Sequence, residues 1–437
     1  MTEAGGTTVL HEPPTVGEPV LRWSSRTRTI AGIEAELARI WAQAPLTTPG
    51  DDGEPERHVA ARTSVMNLVV IARRPEIGEH AAAVIRMLAG RHPSRTLVLA
   101  SADPDGPSWL DAQIQAHCVL PRADAAETCA EFIALTAGGE SGRHLAPIVA
   151  PLLIHDLPVT LWWPGDPPLA SKQAIELLHM ADRLVVDGSA WSGDGLDRLG
   201  ALAEIVVNRN LGDGSVAVSD FAMLRQSRWR EAIASSFDRP ELRPYLGAIS
   251  SITVRYAARP GAGTSGTNVV KPLYHVAWLA SRLRLSVAAP LKTVADMSVA
   301  DGADEARGAR EAGGAGGAGG EAATRGLGDP HVGLLRGGRR RIPVRLEPAE
   351  SPLPAGTTLA VELTARRRAG TLEVTVVAEA DAVIVHATLD GRTLPARRFM
   401  APRRTAVELL AETIESVGRD PVATAALLTA AELVGRA

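Results

Sequence analysis

The chain has 437 residues, 46 basic and 50 acidic side chains and a formal net charge of −4, so nothing in its bulk charge argues for a nucleic-acid partner. Folding at this length buries roughly three quarters of the unfolded surface, enough for a core in two or three units. The sequence has no apolar run of about eighteen residues and no charged-then-apolar leader, which excludes an ordinary transmembrane helix and leads us to expect a cytoplasmic protein without membrane contact.

Residues 1–28 are polar and rich in Pro and Gly, and are expected to form a disordered tail. An N-terminal α/β region is expected over 29–167. Ile30, Ile33, Leu37, Ile40 and Trp41 follow helical spacing behind Thr29. Val65 to Ala72 is a near-continuous apolar run, as in strands covered on both faces. A helix from about Glu76 to Arg91 and a second buried strand, Thr96 to Ala100, complete a βαβ unit. Between Ala112 and Leu135 the pattern turns to alternation and predicts an edge pair of strands. A helix around His144 to Leu153 precedes the strand Val159 to Trp163.

A second α/β region is expected over 168–300, with a helix at Ser171 to Ala181, a strand at Arg183 to Asp187, a helix after Asp194 and a short strand at Val206 to Asn210. A helix from Ser219 through Trp229 to Phe237, a strand at Ile249 to Tyr256 and a helix at Pro272 to Arg284 follow. Residues 301–340 read as a flexible insertion, because Asp301 to Gly328 holds ten glycines and almost no large apolar residue. Over 341–437 five short strands, with Asp390-Gly391 as a hairpin turn, lead into two terminal helices, Thr405 to Ser416 and Asp420 to Val434. The expected class is α/β: a mixed, largely parallel sheet covered by helices, then a small antiparallel β region with C-terminal helices.

Generic chemical motifs fail on context. Gly261 to Gly266 fits GxGxxG, but Arg259-Pro260 separates it from its strand and Lys271-Pro272 delays the helix, so no dinucleotide cofactor is expected. A phosphate loop, a GxSxG elbow and an HExxH metal pair are all missing from the sequence, and neither a catalytic nor a metal set can be assigned. Cys118 and Cys129 make no CxxC pair; two buried thiols are the favoured reading, since a disulfide requires backbones within about 7 Å. Only Lys172, Lys271 and Lys292 are lysine among the 46 basic residues, which reads as genome composition. The arginine runs Arg336 to Arg341 and Arg366 to Arg368 carry no interleaved aromatics and read as solvated surface.

Three segments carry more information. His92, Ser94 and Arg95 join a helix to a buried strand, where they could hold a phosphate or a carboxylate, or simply cap helix carbonyls. Arg225, Arg228 and Trp229 share a helix and have the composition of interface anchors, against the plainer reading of a helix pinned by its Trp. Trp162 and Trp163 end a strand before the stiff exit Pro164-Gly165-Asp166-Pro167-Pro168. Their rings point to opposite faces, either to grip a partner or to pack under helices.

Four blocks in order, HPSRTLVLA (92–100), PLLIHDLPVTLWWPGDPP (151–168), DRLVVDGSAW (182–191) and DFAMLRQSRWREAIASSFD (220–238), make the chain resemble the glucose-6-phosphate dehydrogenase assembly proteins called OpcA, of actinobacterial type. The resemblance implies a non-catalytic protein that binds glucose-6-phosphate dehydrogenase, favours its active oligomer and so supports NADPH production by the oxidative pentose phosphate pathway. On that reading Trp162, Trp163, Asp166, Arg225, Arg228 and Trp229 are the expected partner contacts. The competing expectation is a sugar-phosphate or nucleotide sensor working through His92, Ser94 and Arg95.

Overall fold

The computed structural model describes residues 17, 19–42, 46–49, 55–58, 61–62, 64–88, 91–103, 105–120, 122, 128–207, 216–259, 267–295 and 327–436. The chain forms two compact units, each assembled from separate stretches. The first takes Met1–Asp187, Asn208–Ser219 and Thr405–Gly418; the second takes Gly188–Val207, Asp220–Arg404 and Arg419–Ala437. The divisions expected at 167 and 300 therefore differ from those observed, because strands on both sides of each point pair within one sheet.

The first unit is built on β1 (Pro19–Thr27), α1 (Ile30–Ala42), β2 (Asn67–Ala72), α2 (Pro75–Arg86), β3 (Arg95–Ser101), β4 (Trp109–Val119), β5 (Thr128–Gly138), β6 (Val159–Trp163), α3 (Lys172–Leu178), β7 (Arg183–Val186) and β8 (Ala217–Asp220). Its sheet runs β1-β4-β5-β3-β2-β6-β7-β8. Strands β5, β3, β2, β6 and β7 are mutually parallel, so the five parallel strands in chain order lie third, second, first, fourth, fifth across the sheet. That is a doubly wound order whose direction reverses between β2 and β6. Every residue of β2 is buried, as its unbroken apolar run requires when both faces are covered.

Two expectations fail at the other side of this sheet. The polar start is no tail from end to end, since β1 pairs antiparallel with β4 from Pro19 to Thr27 and buries Trp23 to 7% exposure. Consequently β4 and β5 are not an edge pair, and β1 takes the edge. Cys118 and Cys129 sit opposite each other in the β4–β5 register and are joined by a disulfide, so the expectation of two free thiols is also overturned. The antiparallel register sets their Cα atoms 4.0 Å apart, which sequence spacing does not reveal. The helix Ala406–Glu415, opened by a capping box between Thr405 and Glu408, belongs to this unit and lies against α2.

The second unit contains α4 (Leu196–Val207), α5 (Ser227–Ser235), β9 (Ile249–Ala258), α6 (Val270–Arg282), β10 (Ser286–Thr293), β11 (His331–Gly337), β12 (Arg340–Glu350), β13 (Thr358–Arg367), β14 (Gly370–Glu379), β15 (Ala382–Leu389), β16 (Arg397–Met400) and α7 (Pro421–Leu433). The sheet order is β10-β11-β12-β9-β13-β14-β15, with β16 also on β15. It is larger than the small antiparallel region expected, and it is mixed, because β9 runs parallel to β12. Ile342, Val344 and Leu346 are fully buried while Arg341, Arg345 and Glu347 point away, the alternation of a sheet with one wet face. Against the buried face lie α6 and α5, and α6 packs on α7. Asp390 and Gly391 both have positive φ, 52° and 77°, as a tight hairpin turn demands. The short strand expected at Val206 to Asn210 is absent at its first two residues, which end α4; the rest lies outside the described residues, as do Gly261 to Gly266 and most of the glycine-rich insertion. The single helix expected from Ser219 is two, Phe221–Leu224 and α5, parted at Arg225-Gln226. Among the described residues no helix is long and apolar enough to cross a membrane.

Candidate functional site

The turn that delivers Arg95 to β3 is occupied from inside the first unit. Arg95 is 8% exposed; its Nε donates to Glu131 Oε2 at 2.5 Å and one Nη to the Leu152 carbonyl at 2.9 Å. Glu131 on β5 is fully buried and also accepts from Trp41 Nε1 on α1, so one carboxylate ties α1, β3 and β5 together. Such a buried ion pair holds only because both oxygens are hydrogen-bonded. Ser94 Oγ lies 3.0 Å from Thr96 Oγ1. His92 Nε2 lies 3.1 Å from Glu415 Oε1, and Arg91 reaches the same carboxylate at 2.5 Å. The three residues expected to meet a phosphate or carboxylate thus meet carboxylates and a hydroxyl of their own unit.

Trp162 and Trp163 are each 3% exposed on β6, which is flanked by β2 and β7. They form core on the two faces of the sheet, and their expected role as direct partner contacts is corrected: a ring with 3% of its surface exposed offers a partner nothing to grip. Gly165, at φ +89°, lets the exit turn, and a Cβ there would approach Ile77 of α2. This places the Pro164 to Pro167 turn, with half-buried Asp166, beside the start of α2 at the reversal point of the sheet, where doubly wound folds bind ligands. The turn from β2 into α2 reads Ala72-Arg73-Arg74-Pro75-Glu76-Ile77-Gly78. It lacks the glycine fingerprint, Pro75 removes an amide donor, and Glu76 puts a negative charge in the first helical turn.

In the second unit Arg225 follows Phe221–Leu224, reaches Ser189 Oγ at 3.0 Å and lies 5.8 Å above the Phe221 ring. Arg228 is exposed and pairs with Glu231 at 2.7 Å on the same helix face. Trp229 is half-buried with its ring 5.2 Å from His275. His275 is completely buried, and neither ring nitrogen has a hydrogen-bond partner among the described residues. Burial, reinforced by the charges of Arg230 and Lys271, holds its pKa down at about 3.

A cluster that the sequence did not single out lies nearby in the same unit. Asp220 Oδ1 accepts from the amides of Ala222 and Gly188, both at 2.8 Å, and Oδ2 accepts from Tyr274 Oη at 2.8 Å. Asn268 Nδ2 donates to the carbonyls of Gly188 and Trp191, while its oxygen accepts from the Val270 amide at 3.0 Å, where α6 begins. Burial and the Asp220 charge hold Tyr274 as the neutral phenol by raising its pKa. The signal was available in outline: Asp220 opens a helix, and DGSAW and DFAML lie within the blocks 182–191 and 220–238. Among the described residues no group of His, Cys, Asp and Glu has the makings of a metal site.

A family model described as the glucose-6-phosphate dehydrogenase subunit N-terminal domain matches residues 85–204, and its companion, described as the C-terminal domain, matches 216–314. Together these spans cover half of the chain and contain all four blocks. A Synechocystis protein provisionally named OxPP cycle protein OpcA is 27% identical over 198 residues, 45% of this chain and 38% of that relative, so this chain matches well under half of that relative's length. Among solved structures, the transcriptional regulator Gal80p from Kluyveromyces lactis aligns at 10% identity and TM-score 0.41, covering 86% of this chain and 89% of that one. An oxidoreductase from Sinorhizobium meliloti aligns at 14% identity and TM-score 0.41, covering 86% and 97%. Neither likeness is close enough to carry a functional argument.

Proposed function

The chain belongs to the OpcA family of glucose-6-phosphate dehydrogenase assembly proteins, and we propose that it binds glucose-6-phosphate dehydrogenase and favours that enzyme's active oligomer without itself catalysing a reaction. The observation that carries this reading is the ordered match of both family domains across 85–314. It acts in the cytoplasm and supports NADPH supply from the oxidative pentose phosphate pathway.

The physical requirement is differential binding. A ligand with equal affinity for both forms of an enzyme shifts nothing, and moving a two-state population from 1:99 to 99:1 takes about 5.5 kcal/mol of preference. A standard interface with a few Arg and Trp anchors has that capacity. The surface-accessible members of the expected set are Asp166, Arg225, Arg228 and Trp229, and Arg228, with its side chain 58% exposed, is the one whose loss costs the fold least. Asp166 and Arg225 remain contacts in the same reading, supported by their partial exposure. A sensor built on His92, Ser94 and Arg95 is disfavoured, because Glu415, Thr96 and Glu131 already engage those groups.

The test is a titration of purified dehydrogenase with the full chain, read by calorimetry. Saturable binding that Arg228→Ala weakens by about tenfold, the loss of one charged anchor, supports the reading. Absence of binding at micromolar protein removes it.

A further inference from the structure

We propose that a cleft in the first unit binds a small polyhydroxylated anion, its acidic group on Arg86 and Gln115 and its hydroxyls on Thr136 and Glu79. The cleft opens between α2 and the face of β3, β4 and β5. Phe132, Ala134 and Val98 form its floor, and α2 presents Gly78 and Ala82 as a low wall.

Arg86 sets the preference for an anion. Its Nε donates to the Ala82 carbonyl at 3.2 Å, and its Cζ lies 5.3 Å from the centroid of the Phe132 ring. Those two contacts fix the plane of the guanidinium, so little rotamer freedom is lost when a ligand arrives. Arg95 has Glu131, Arg26 has both oxygens of Asp111, and Arg228 has Glu231. Arg86, by contrast, meets no carboxylate among the described residues, and its two Nη groups have no acceptor there. A half-buried cation in that state is the natural seat of a forked hydrogen bond to phosphate or carboxylate.

Gln115 adds to it. Its Oε1 lies 3.1 Å from His117 Nε2 and accepts the ring N–H in the tautomer protonated there. Burial, with the Arg86 charge acting the same way, lowers the His117 pKa to about 4, so the ring adds no second positive charge beside Arg86 at physiological pH. With the oxygen taken, the Gln115 amide hydrogens are left as donors at the cleft. Thr136 and Glu79 supply a hydroxyl and a carboxylate, the groups that accept hydrogen bonds from sugar hydroxyls. Glu79 and Asp111, both in the lining, also repel a bare anion, Asp111 the less because Arg26 holds both its oxygens, so the hydroxyls are needed as well as the charge. The site lies in the opposite direction from the Glu131 cluster, because residues one apart on β4 and β5 face opposite sides of the sheet.

The experiment is calorimetry on the full chain alone, which keeps it independent of dehydrogenase binding, with glucose 6-phosphate, gluconate, glucose and inorganic phosphate as probes. Either hydroxylated anion should bind about tenfold or more tightly than glucose or inorganic phosphate, and Arg86→Gln should weaken it by about tenfold. Which of the two anions binds decides between phosphate and carboxylate. Glu79→Gln, at an exposed position that makes no side-chain hydrogen bond or ion pair among the described residues, should narrow the gap between glucose 6-phosphate and inorganic phosphate, and so keeps the test valid if Arg86→Gln fails to fold. Failure of both anions to bind at about 10 mM, a constant weaker than any small-molecule site of use, overturns the proposal. Equal binding by inorganic phosphate, or binding that neither substitution alters, overturns it too.

Discussion

Replacing His275 by leucine should flatten the dependence of stability on pH. In the folded chain this imidazole is fully buried, its pKa lowered to about 3, with Trp229 against the ring and Arg230 and Lys271 raising the local potential. In the unfolded chain it returns to about 6.5. Between those values the unfolded state binds a proton that the folded state refuses, so stability rises with pH across the window and is lost as pH falls below about 6.5. The cost is about 1.4 kcal/mol per pH unit well inside the window, or about 2 kcal/mol between pH 7 and pH 5. Leucine has no proton to bind. Urea unfolding of both proteins at pH 7, 6 and 5, followed by far-ultraviolet circular dichroism, should show curves that diverge by about that amount, with the variant relatively more stable at the acidic end. All other titrating groups are common to both proteins and drop out of the difference. Parallel curves would refute the reasoning, because they would mean that His275 ionises freely in the folded state.

Trp163→Ala should cost about 3–5 kcal/mol, the usual penalty for an aromatic ring removed from a packed core, and thermal unfolding will report it. A soluble variant of unchanged stability would return Trp163 to the list of partner contacts. Glu131→Ala should be as damaging, about 3–5 kcal/mol in urea unfolding, since it strands the buried Arg95 guanidinium. Substituting Arg95 and Glu131 together by apolar residues should cost less than Glu131→Ala alone. Reducing the Cys118–Cys129 disulfide, whose partners lie 11 residues apart, should lower stability by about 2–3 kcal/mol through the larger entropy of the unfolded loop. Equal midpoints with and without reductant would contradict that.

Much of the fold was legible because burial writes itself into pattern. The run Val65 to Ala72 announced a strand covered on both faces, and the short strand expected from Ile342 is present within β12. Asp390-Gly391 and the helix opening at Thr405 were local signals whose physics needs no tertiary context. What escaped was whatever depends on distant partners. Pro19 to Thr27 is too polar to read as a strand and is held by pairing with β4, 85 to 100 residues downstream in register. The disulfide follows from the β4–β5 register, which spacing alone left open. Among the site residues, Trp162, Trp163 and Arg95 had the chemistry of contacts, yet the first two fill the core and the third neutralises Glu131. Sequence shows which groups are present; whether they are already engaged is decided by packing. Asp220, Tyr274 and Asn268 were missed for the converse reason: each is ordinary alone and gains its role from the others.

The most direct test of the central claim is to add the purified chain to purified glucose-6-phosphate dehydrogenase and record enzyme mass and rate in the same samples across a concentration series. The account predicts a complex containing both proteins and a rise in activity that saturates together with the gain in the active oligomer. An unchanged mass distribution with unchanged activity, at concentrations well above those of the enzyme, would contradict it.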